Sequence, residues 1–149
     1  MLPRSILVFV VALAIMLGSC GSTEPSGLDE FATTTITIDD RSMDVAVADT
    51  PTKRAHGLMG VTNLGGLEGM VFVFPVESGA GFWMKDTLIP LDIVFFSANG
   101  IFVDRFTMQP CIEDPCPSYD PIGLYRYAVE APAGDLGFVT ESSILRVTD

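Results

Sequence analysis

Apolar and polar residues alternate over several short stretches of the chain, which is the pattern of β-strands with one buried face. We expect Pro75 to end one of these strands, because proline cannot donate a ladder hydrogen bond. Ala98-Asn99-Gly100 predicts a hairpin turn, since Asn-Gly is a strong signal for a two-residue connection. The stretches predicted as strands are 33–38, 43–48, 70–74, 82–84, 91–96, 101–108, 125–131 and 144–147.

A helix is predicted to begin at Pro51, after a Thr50 side chain that can cap it. We expect this helix to be short, to reach Leu58 or Met59 and to stop near Gly60; one further helical turn is possible within 132–143. Short strands that outnumber helices to this degree predict a mainly β (α+β) fold. The predicted architecture is therefore a single small domain, a mostly antiparallel sandwich or partly open barrel with one or two short helices.

The start of the chain has the composition of a secretory signal. Arg4 precedes an apolar run over 6–18, and small residues lead into Cys20. This arrangement resembles the lipobox of bacterial lipoproteins, which implies a diacylglycerol on the Cys20 thiol and cleavage before it. An ordinary signal peptide and an uncleaved anchor are the alternatives. We divide the chain into a lipoprotein-type signal peptide, a flexible tether and a single β-rich domain: 1–19, 20–30 and 31–149.

Charge and size narrow the classes of partner. The chain has 149 residues, with 8 Lys+Arg against 19 Asp+Glu and a net charge of −11. So acidic a surface repels phosphate backbones, which excludes nucleic acid as an expected partner. Its acidic residues show no calcium-loop spacing and are interpreted as a solubilising surface. The predicted location is the outer face of a bacterial membrane, periplasmic or at the cell surface.

Two cysteines remain after Cys20. Cys111 and Cys116 flank a short segment rich in proline and acidic residues. In the oxidising compartment implied by the leader, such a pair is most simply a disulfide around a tight loop. A zinc or redox site is the alternative, although it would require different spacing or more ligands.

Several blocks resemble one family of bacterial and archaeal proteins, the domain-of-unknown-function family 192. They are Gly57-Leu58-Met59, the strand that follows Glu68, a Trp-Met-Lys block from Trp83 to Ile93, and Arg126 to Glu130. The resemblance implies a similar fold and export from the cytosol, and the family name assigns no reaction. Two positions depart from the family pattern: Val61 stands where members often have arginine, and Asp86 where they often have asparagine.

The Trp-Met-Lys block holds the densest group of polar and aromatic side chains. An ammonium, two carboxylates and an indole within it are suited to a small polar ligand that stacks on the aromatic ring. The structural alternative is an ion pair at Lys85, turn caps at Asp86 and Thr87, and apolar packing of Trp83. The predicted ligand-binding residues are Met59, Glu68, Trp83, Lys85, Asp86, Thr87 and Asp92.

We therefore predict a non-enzymatic, membrane-tethered module that binds a small polar ligand or an envelope protein and requires no cofactor. One alternative is a hydrolase of cell-wall or glycan material that uses Glu68 and Asp92 as an acid/base pair. A second alternative is a copper carrier, because thioethers and imidazole bind Cu(I). Its candidate ligands are His56 and the methionines Met43, Met59, Met70, Met84 and Met108.

Overall fold

The computed structural model describes residues 27–148. The predicted signal peptide, the lipidation site Cys20 and most of the predicted tether lie outside these residues. The elements in chain order are β1 (Ala32–Ile38), β2 (Arg41–Ala48), α1 (Pro51–His56), β3 (Gly69–Ser78), β4 (Phe82–Trp83), β5 (Leu91–Phe96), β6 (Phe102–Met108), β7 (Ser118–Tyr119), β8 (Tyr125–Pro132) and β9 (Leu145–Val147).

Seven strands form one mixed sheet in the order β6-β5-β8-β3-β2-β1-β9, and β4 pairs with β7 in a separate ribbon. The pairs of the large sheet are antiparallel except β2 with β3, which run parallel because the chain crosses over through α1 between them. The sheet curls until its outer strands approach one another. The Leu145 amide donates to the Gly100 carbonyl at 2.8 Å, and Ile101 and Ile144 form an antiparallel bridge. This half-barrel confirms the predicted fold class.

Apolar side chains cover both faces of the sheet, since residues of β3, β5 and β8 alternate between two cores. One core contains Val71 and Val94, and the other contains Phe72 and Phe95. All residues of β5 are buried, as expected for a strand packed on both faces. The core around Phe72 is closed by Leu58, Val61 and Met84, which come from the connections outside the sheet.

Helix α1 begins as predicted and ends earlier than predicted. The Lys53 amide donates to the Thr50 hydroxyl at 3.2 Å, which caps the first turn. The helix stops at His56 because Gly57 adopts a φ of 51°, a left-handed conformation that interrupts helical geometry. The prediction that it reaches Leu58 or Met59 is therefore wrong. Within residues 27–148, α1 is the one α-helix.

Strand β3 also differs from its prediction. It continues through Pro75 to Ser78, while its register with β8 shifts between Val73 and Ser78. The missing proline N–H interrupts the ladder locally without ending the strand, because the chain pairs again at Ser78 with Tyr125.

The described chain begins before the predicted domain boundary. Leu28, within the segment predicted as a tether, is buried in the core that contains Phe72. Cys111 and Cys116 form the predicted disulfide, with their Cα atoms 5.8 Å apart. In residues 27–148, no helix has the length and apolar character needed to cross a bilayer.

Candidate functional site

A small open cavity lies on the α1 side of the sheet, with the Glu130 side chain among its lining residues. Glu130 is in β8, where it pairs with Met70 of β3 and Ile93 of β5. The side chain is 4% exposed, in a cavity of about 30 Å³. We call this cavity the Glu130 cleft; its lining is Arg54, Ala55, His56, Gly57, Leu58, Met59, Phe72, Phe82, Trp83, Thr87 and Glu130.

The Glu130 carboxyl has no hydrogen-bond or ion-pair partner among residues 27–148. Buried carboxyl groups normally have such partners, because an unpaired charge in a low-dielectric interior is strongly destabilised. Burial accordingly raises the pKa of Glu130 to about 8. The group is therefore mainly protonated at neutral pH, and it can donate a hydrogen bond or lose its proton to solvent when a cation binds beside it.

Aromatic rings and one hydroxyl form the wall of the cleft. Phe72 and Phe82 meet edge to face, with ring centroids 5.0 Å apart. Trp83 lines the same cleft and is 55% exposed, an unusual exposure for so large an apolar side chain. The buried Thr87 hydroxyl donates to the Lys85 carbonyl at 3.4 Å.

Two glycines allow the backbone to approach this site closely. The left-handed turn at Gly57 brings the end of α1 over Phe72, where a Cβ atom on residue 57 would lie 3.4 Å from the ring. A Cβ atom on Gly69 would collide with the carbonyl oxygen of Glu130. The strand that carries Glu130 can pack this tightly against the start of β3 only if residue 69 is glycine.

Arg54 lines the cleft, but its guanidinium is engaged outside it. One guanidinium nitrogen donates to the Asp49 carbonyl at 2.7 Å and to the Val73 carbonyl at 2.9 Å. The group also lies 4.8 Å from the ring centroid of Phe74, within cation–π range. Arg54 therefore joins α1 to β3 and leaves the Glu130 carboxyl without an ion pair.

A second groove of about 220 Å³ shares part of the wall. Arg54, Ala55, Phe82 and Trp83 line both cavities, and the groove extends past them toward Tyr125. The buried Tyr125 hydroxyl donates to the Ala80 carbonyl at 2.7 Å, and burial raises the pKa of this phenol. The cleft and the groove together offer a narrow polar end and a wider aromatic channel.

The structure brings together only part of the predicted ligand-binding set. Met59, Trp83 and Thr87 line the Glu130 cleft, and the four charged residues of the set do not. Lys85 pairs with Asp114 in the cystine loop at 2.9 Å, and this hydrogen bond raises the pKa of the lysine. Asp86 is exposed at a φ of 54°, and its carbonyl accepts from Gly60.

The two carboxylates of the hydrolase alternative accept hydrogen bonds from different segments of the chain. Glu68 accepts from the Asp44 amide at 3.1 Å, beside β2. Asp92 is buried in β5, where it accepts from the Thr107 hydroxyl at 2.6 Å and from the Gly134 amide at 2.8 Å. Neither carboxylate contacts the other among the described residues, and each has a structural role in joining neighbouring segments.

The methionines of the copper alternative lie mainly in the interior. Met43 belongs to one core, while Met70, Met84 and Met108 belong to the core on the opposite face of the sheet. Met59 is in the cleft. Residues 27–148 contain no group of three or more His, Cys, Asp and Glu side chains placed to hold a metal ion.

Glu130 is the residue that sequence analysis missed as a candidate. Its signal was a single acid within an otherwise apolar run, Ala128-Val129-Glu130-Ala131, inside a predicted strand. The family resemblance included this position without giving it a role. A buried ionisable residue without a partner indicates a functional site. The sequence alone does not show whether a residue has such a partner in the fold.

A larger groove of about 700 Å³ lies along β6, at the opening of the half-barrel. Two of its three charged residues have partners: Arg105 donates to the Val139 carbonyl at 2.7 Å, and Asp104 accepts from the Ile122 amide at 2.9 Å. The third, Glu141, is exposed to solvent. The Glu130 cleft is the stronger candidate because its central polar group is unpaired.

Comparison with known proteins identifies the family. The sequence model of the DUF192 family, described as "Uncharacterized ACR", matches residues 34–141, which include every residue of the cleft. The chain belongs to the DUF192 family. The resemblance predicted from the sequence blocks is therefore confirmed, and the DUF192 description adds no activity.

Two solved structures are similar to this DUF192 protein. One, from Sinorhizobium meliloti 1021 and described as a "putative transcription regulator", has 25% sequence identity and a TM-score of 0.65, covering 78% of this chain and 95% of its own. The other, a protein of unknown function from Novosphingobium aromaticivorans DSM 12444, has 22% identity and a TM-score of 0.67, covering 83% and 98%. No curated protein matches the chain significantly.

Proposed function

We propose that this DUF192 protein is a non-enzymatic, membrane-tethered module that binds a small ligand with a polar head group in the Glu130 cleft. The observation that carries the proposal is a buried carboxyl without a partner, placed in an open cavity with aromatic walls. Small-molecule sites combine apolar walls with a few convergent polar groups in this way. The exposed Trp83, which the sequence predicted as a stacking surface for the ligand, lies in the wall of this cavity.

The proposed location is the outer face of a bacterial membrane, with the chain anchored through Cys20. The Cys111–Cys116 disulfide supports an oxidising compartment. The leader supports export, and the lipobox resemblance supports lipidation. The net charge of −11 argues against carrying over to this chain the description of the S. meliloti structure, because an acidic surface disfavours DNA.

Trp83 is the sole tryptophan of the chain, so its fluorescence reports directly on the cleft. We expect titration of the purified full chain with small cationic, neutral and anionic compounds to identify some that change this fluorescence. Binding should weaken at least about tenfold in Glu130→Gln, which removes the ionisable oxygen and keeps the shape. In calorimetry, Trp83→Ala should weaken the binding of the same compounds.

Glu141→Gln is the matched control, because it makes the same change at an exposed carboxylate outside the cleft. Lys85→Ala tests the sequence prediction separately, since Lys85 does not line the cavity. Equal binding in wild type, Glu130→Gln and Trp83→Ala would overturn the proposed site. A wild-type chain that binds none of the compounds would also contradict the proposal.

A further inference from the structure

The cleft also indicates which head group the ligand carries. Building on the function proposed above, we propose that the ligand has a primary ammonium group, which enters the Glu130 cleft and pairs with the Glu130 carboxylate. The rest of the ligand lies in the neighbouring groove, between Arg54, Phe82 and Trp83. Size, charge and the chemistry of the walls support this assignment.

The size of the cleft limits the head group. A cavity of about 30 Å³ holds one or two groups the size of a water molecule. An ammonium has this size, and a sugar ring or a phosphate is larger. The adjoining groove of about 220 Å³ accommodates a short chain or a ring attached to that ammonium.

The charges facing Glu130 are few. From α1 they are Arg54 and His56, and Arg54 is held by the Asp49 and Val73 carbonyls. The strand neighbours Met70 and Ile93 are apolar, and the wall from Phe82 to Thr87 contributes no charged side chain to the cleft. Glu130 is thus the one acid in the cleft, without a counter-ion among the described residues.

The walls favour a cation over an anion. The rings of Phe72, Phe82 and Trp83 line the cleft, and the faces of aromatic rings attract cations. A protein with a net charge of −11 also concentrates cations at its surface and repels anions. An anionic ligand would face this field, and the Arg54 guanidinium already donates to two backbone carbonyls.

Binding releases a proton. The free carboxyl is protonated at neutral pH, and the incoming ammonium already carries its own proton. The O–H bond of Glu130 breaks, its proton passes to solvent, and an N–H of the ammonium donates to the resulting carboxylate. No electron is transferred, and no covalent bond forms between protein and ligand.

The test is isothermal titration of the full chain with n-butylamine, compared with n-butanol as the uncharged analogue. We expect butylamine to bind and butanol not to bind. The butylamine Kd should fall about tenfold per pH unit from about pH 5 to about pH 8 and then level off, because only the ionised carboxyl pairs with the ammonium. Titrations repeated in buffers of different ionisation enthalpy should show that, at pH values below that plateau, about one proton is released for each amine bound.

Glu130→Gln should weaken butylamine binding at least about tenfold, and Glu141→Gln should leave the butylamine Kd within about twofold. Circular dichroism of both variants checks that each is folded.

Butanol binding that strengthens as the pH falls would overturn the ammonium assignment in favour of a hydrogen bond donated by the neutral carboxyl, and the proposed function would stand. Butylamine binding that is independent of pH or of Glu130, or no binding at about 10 mM, also overturns the assignment. If, in addition, no compound of any charge perturbs Trp83, the proposed function fails with it.

Discussion

At the scale of single residues, Glu130 is the group whose surroundings and chemistry conflict most. Its strand partners Met70 and Ile93 are apolar, and the side chain is almost fully buried. The folded protein therefore holds the proton of Glu130 far more tightly than the unfolded chain does. The stability of the fold therefore depends on whether that proton is bound.

We expect the protein to lose stability as the pH rises through the neutral range. The pKa of Glu130 is about 8 when folded, against an ordinary value of 4.5. Below the ordinary value the carboxyl is protonated in both states and imposes no penalty. Between the two values the folded state binds more protons, so unfolding free energy falls by up to about 1.4 kcal/mol per pH unit. Above about pH 8 the penalty is complete.

Glu130→Gln should remove this fall of the unfolding free energy with rising pH, and the variant should be more stable than wild type at about pH 8. Denaturant unfolding at several pH values measures both quantities, and Glu141→Gln should retain the wild-type slope. A wild-type chain whose unfolding free energy is constant over the interval would contradict a buried, unpaired Glu130.

The sequence predicted three residues of the cleft, Met59, Trp83 and Thr87, because aromatic and polar side chains cluster in the family blocks. It also placed Lys85 in the binding set, because its partner in the structure, Asp114, lies 29 residues later in the cystine loop and is not evident from the local pattern. It did not assign a role to Glu130, because burial on both sides of β8 depends on which strands become its neighbours. Such pairings over long sequence separations are not encoded in local patterns.

At the scale of elements, the cystine loop supports the wall of the cleft. The backbone of Cys111 forms isolated β-bridges with Lys85 and Thr87, and its carbonyl accepts a hydrogen bond from the Asp86 amide at 2.9 Å. The segment that carries Trp83 and Thr87 is therefore held from outside by a covalently closed loop. Loss of the disulfide should affect the cleft as well as overall stability.

We expect Cys111→Ser with Cys116→Ser to lower the unfolding free energy by about 2 kcal/mol, the loop-entropy value for so short a ring. Trp83 fluorescence should shift in the folded variant, because the bracing of the 84–87 segment is loosened. Reducing agent should produce the same changes in wild type and none in the double variant. A double variant as stable as the oxidised wild type would contradict this role.

Strand β3 depends on a close approach to β8. Gly69→Ala should destabilise the fold by more than about 2 kcal/mol, because the new methyl group collides with the Glu130 carbonyl. Gly79→Ala is the matched control: its methyl group would make an ordinary contact with Leu124, so the change should be within about 0.5 kcal/mol. Thermal or denaturant unfolding compares the two, and equal stability of both variants would contradict the close packing.

Most elements were predictable from pattern alone. The limits of β5 match the prediction because an apolar run, interrupted by Asp92, has clear ends at Pro90 and Ser97. The extension of β3 through Pro75 was not predictable, since it depends on renewed pairing with β8. The parallel pairing of β2 with β3 was also beyond the local pattern, because the crossover through α1 fixes strand direction only in three dimensions.

At the scale of the whole molecule, the predicted anchor limits how far the domain can move from the membrane. Leu28, which the prediction placed in the tether, is packed in the core. The peptide steps from Cys20 to Leu28 span at most about 30 Å when fully extended. The cleft would then remain within a few tens of ångströms of the bilayer surface.

Cys20→Ala should convert a membrane-bound protein into one recovered in the soluble extracytoplasmic fraction. Two or three acyl chains hold a protein firmly, since each buried methylene contributes about 0.8 kcal/mol. Fractionation and intact mass of both forms measure the change, with Cys111→Ser as the control that keeps the anchor. A wild-type chain without added lipid mass would contradict the anchoring proposal.

An unpaired β-strand margin exposes backbone groups with which a second chain can pair. The hydrogen bond from Leu145 to Gly100 and the bridge between Ile101 and Ile144 occupy backbone groups at the two margins of the large sheet. At these positions the backbone is paired within the molecule. Addition of a strand from a second copy is therefore disfavoured there.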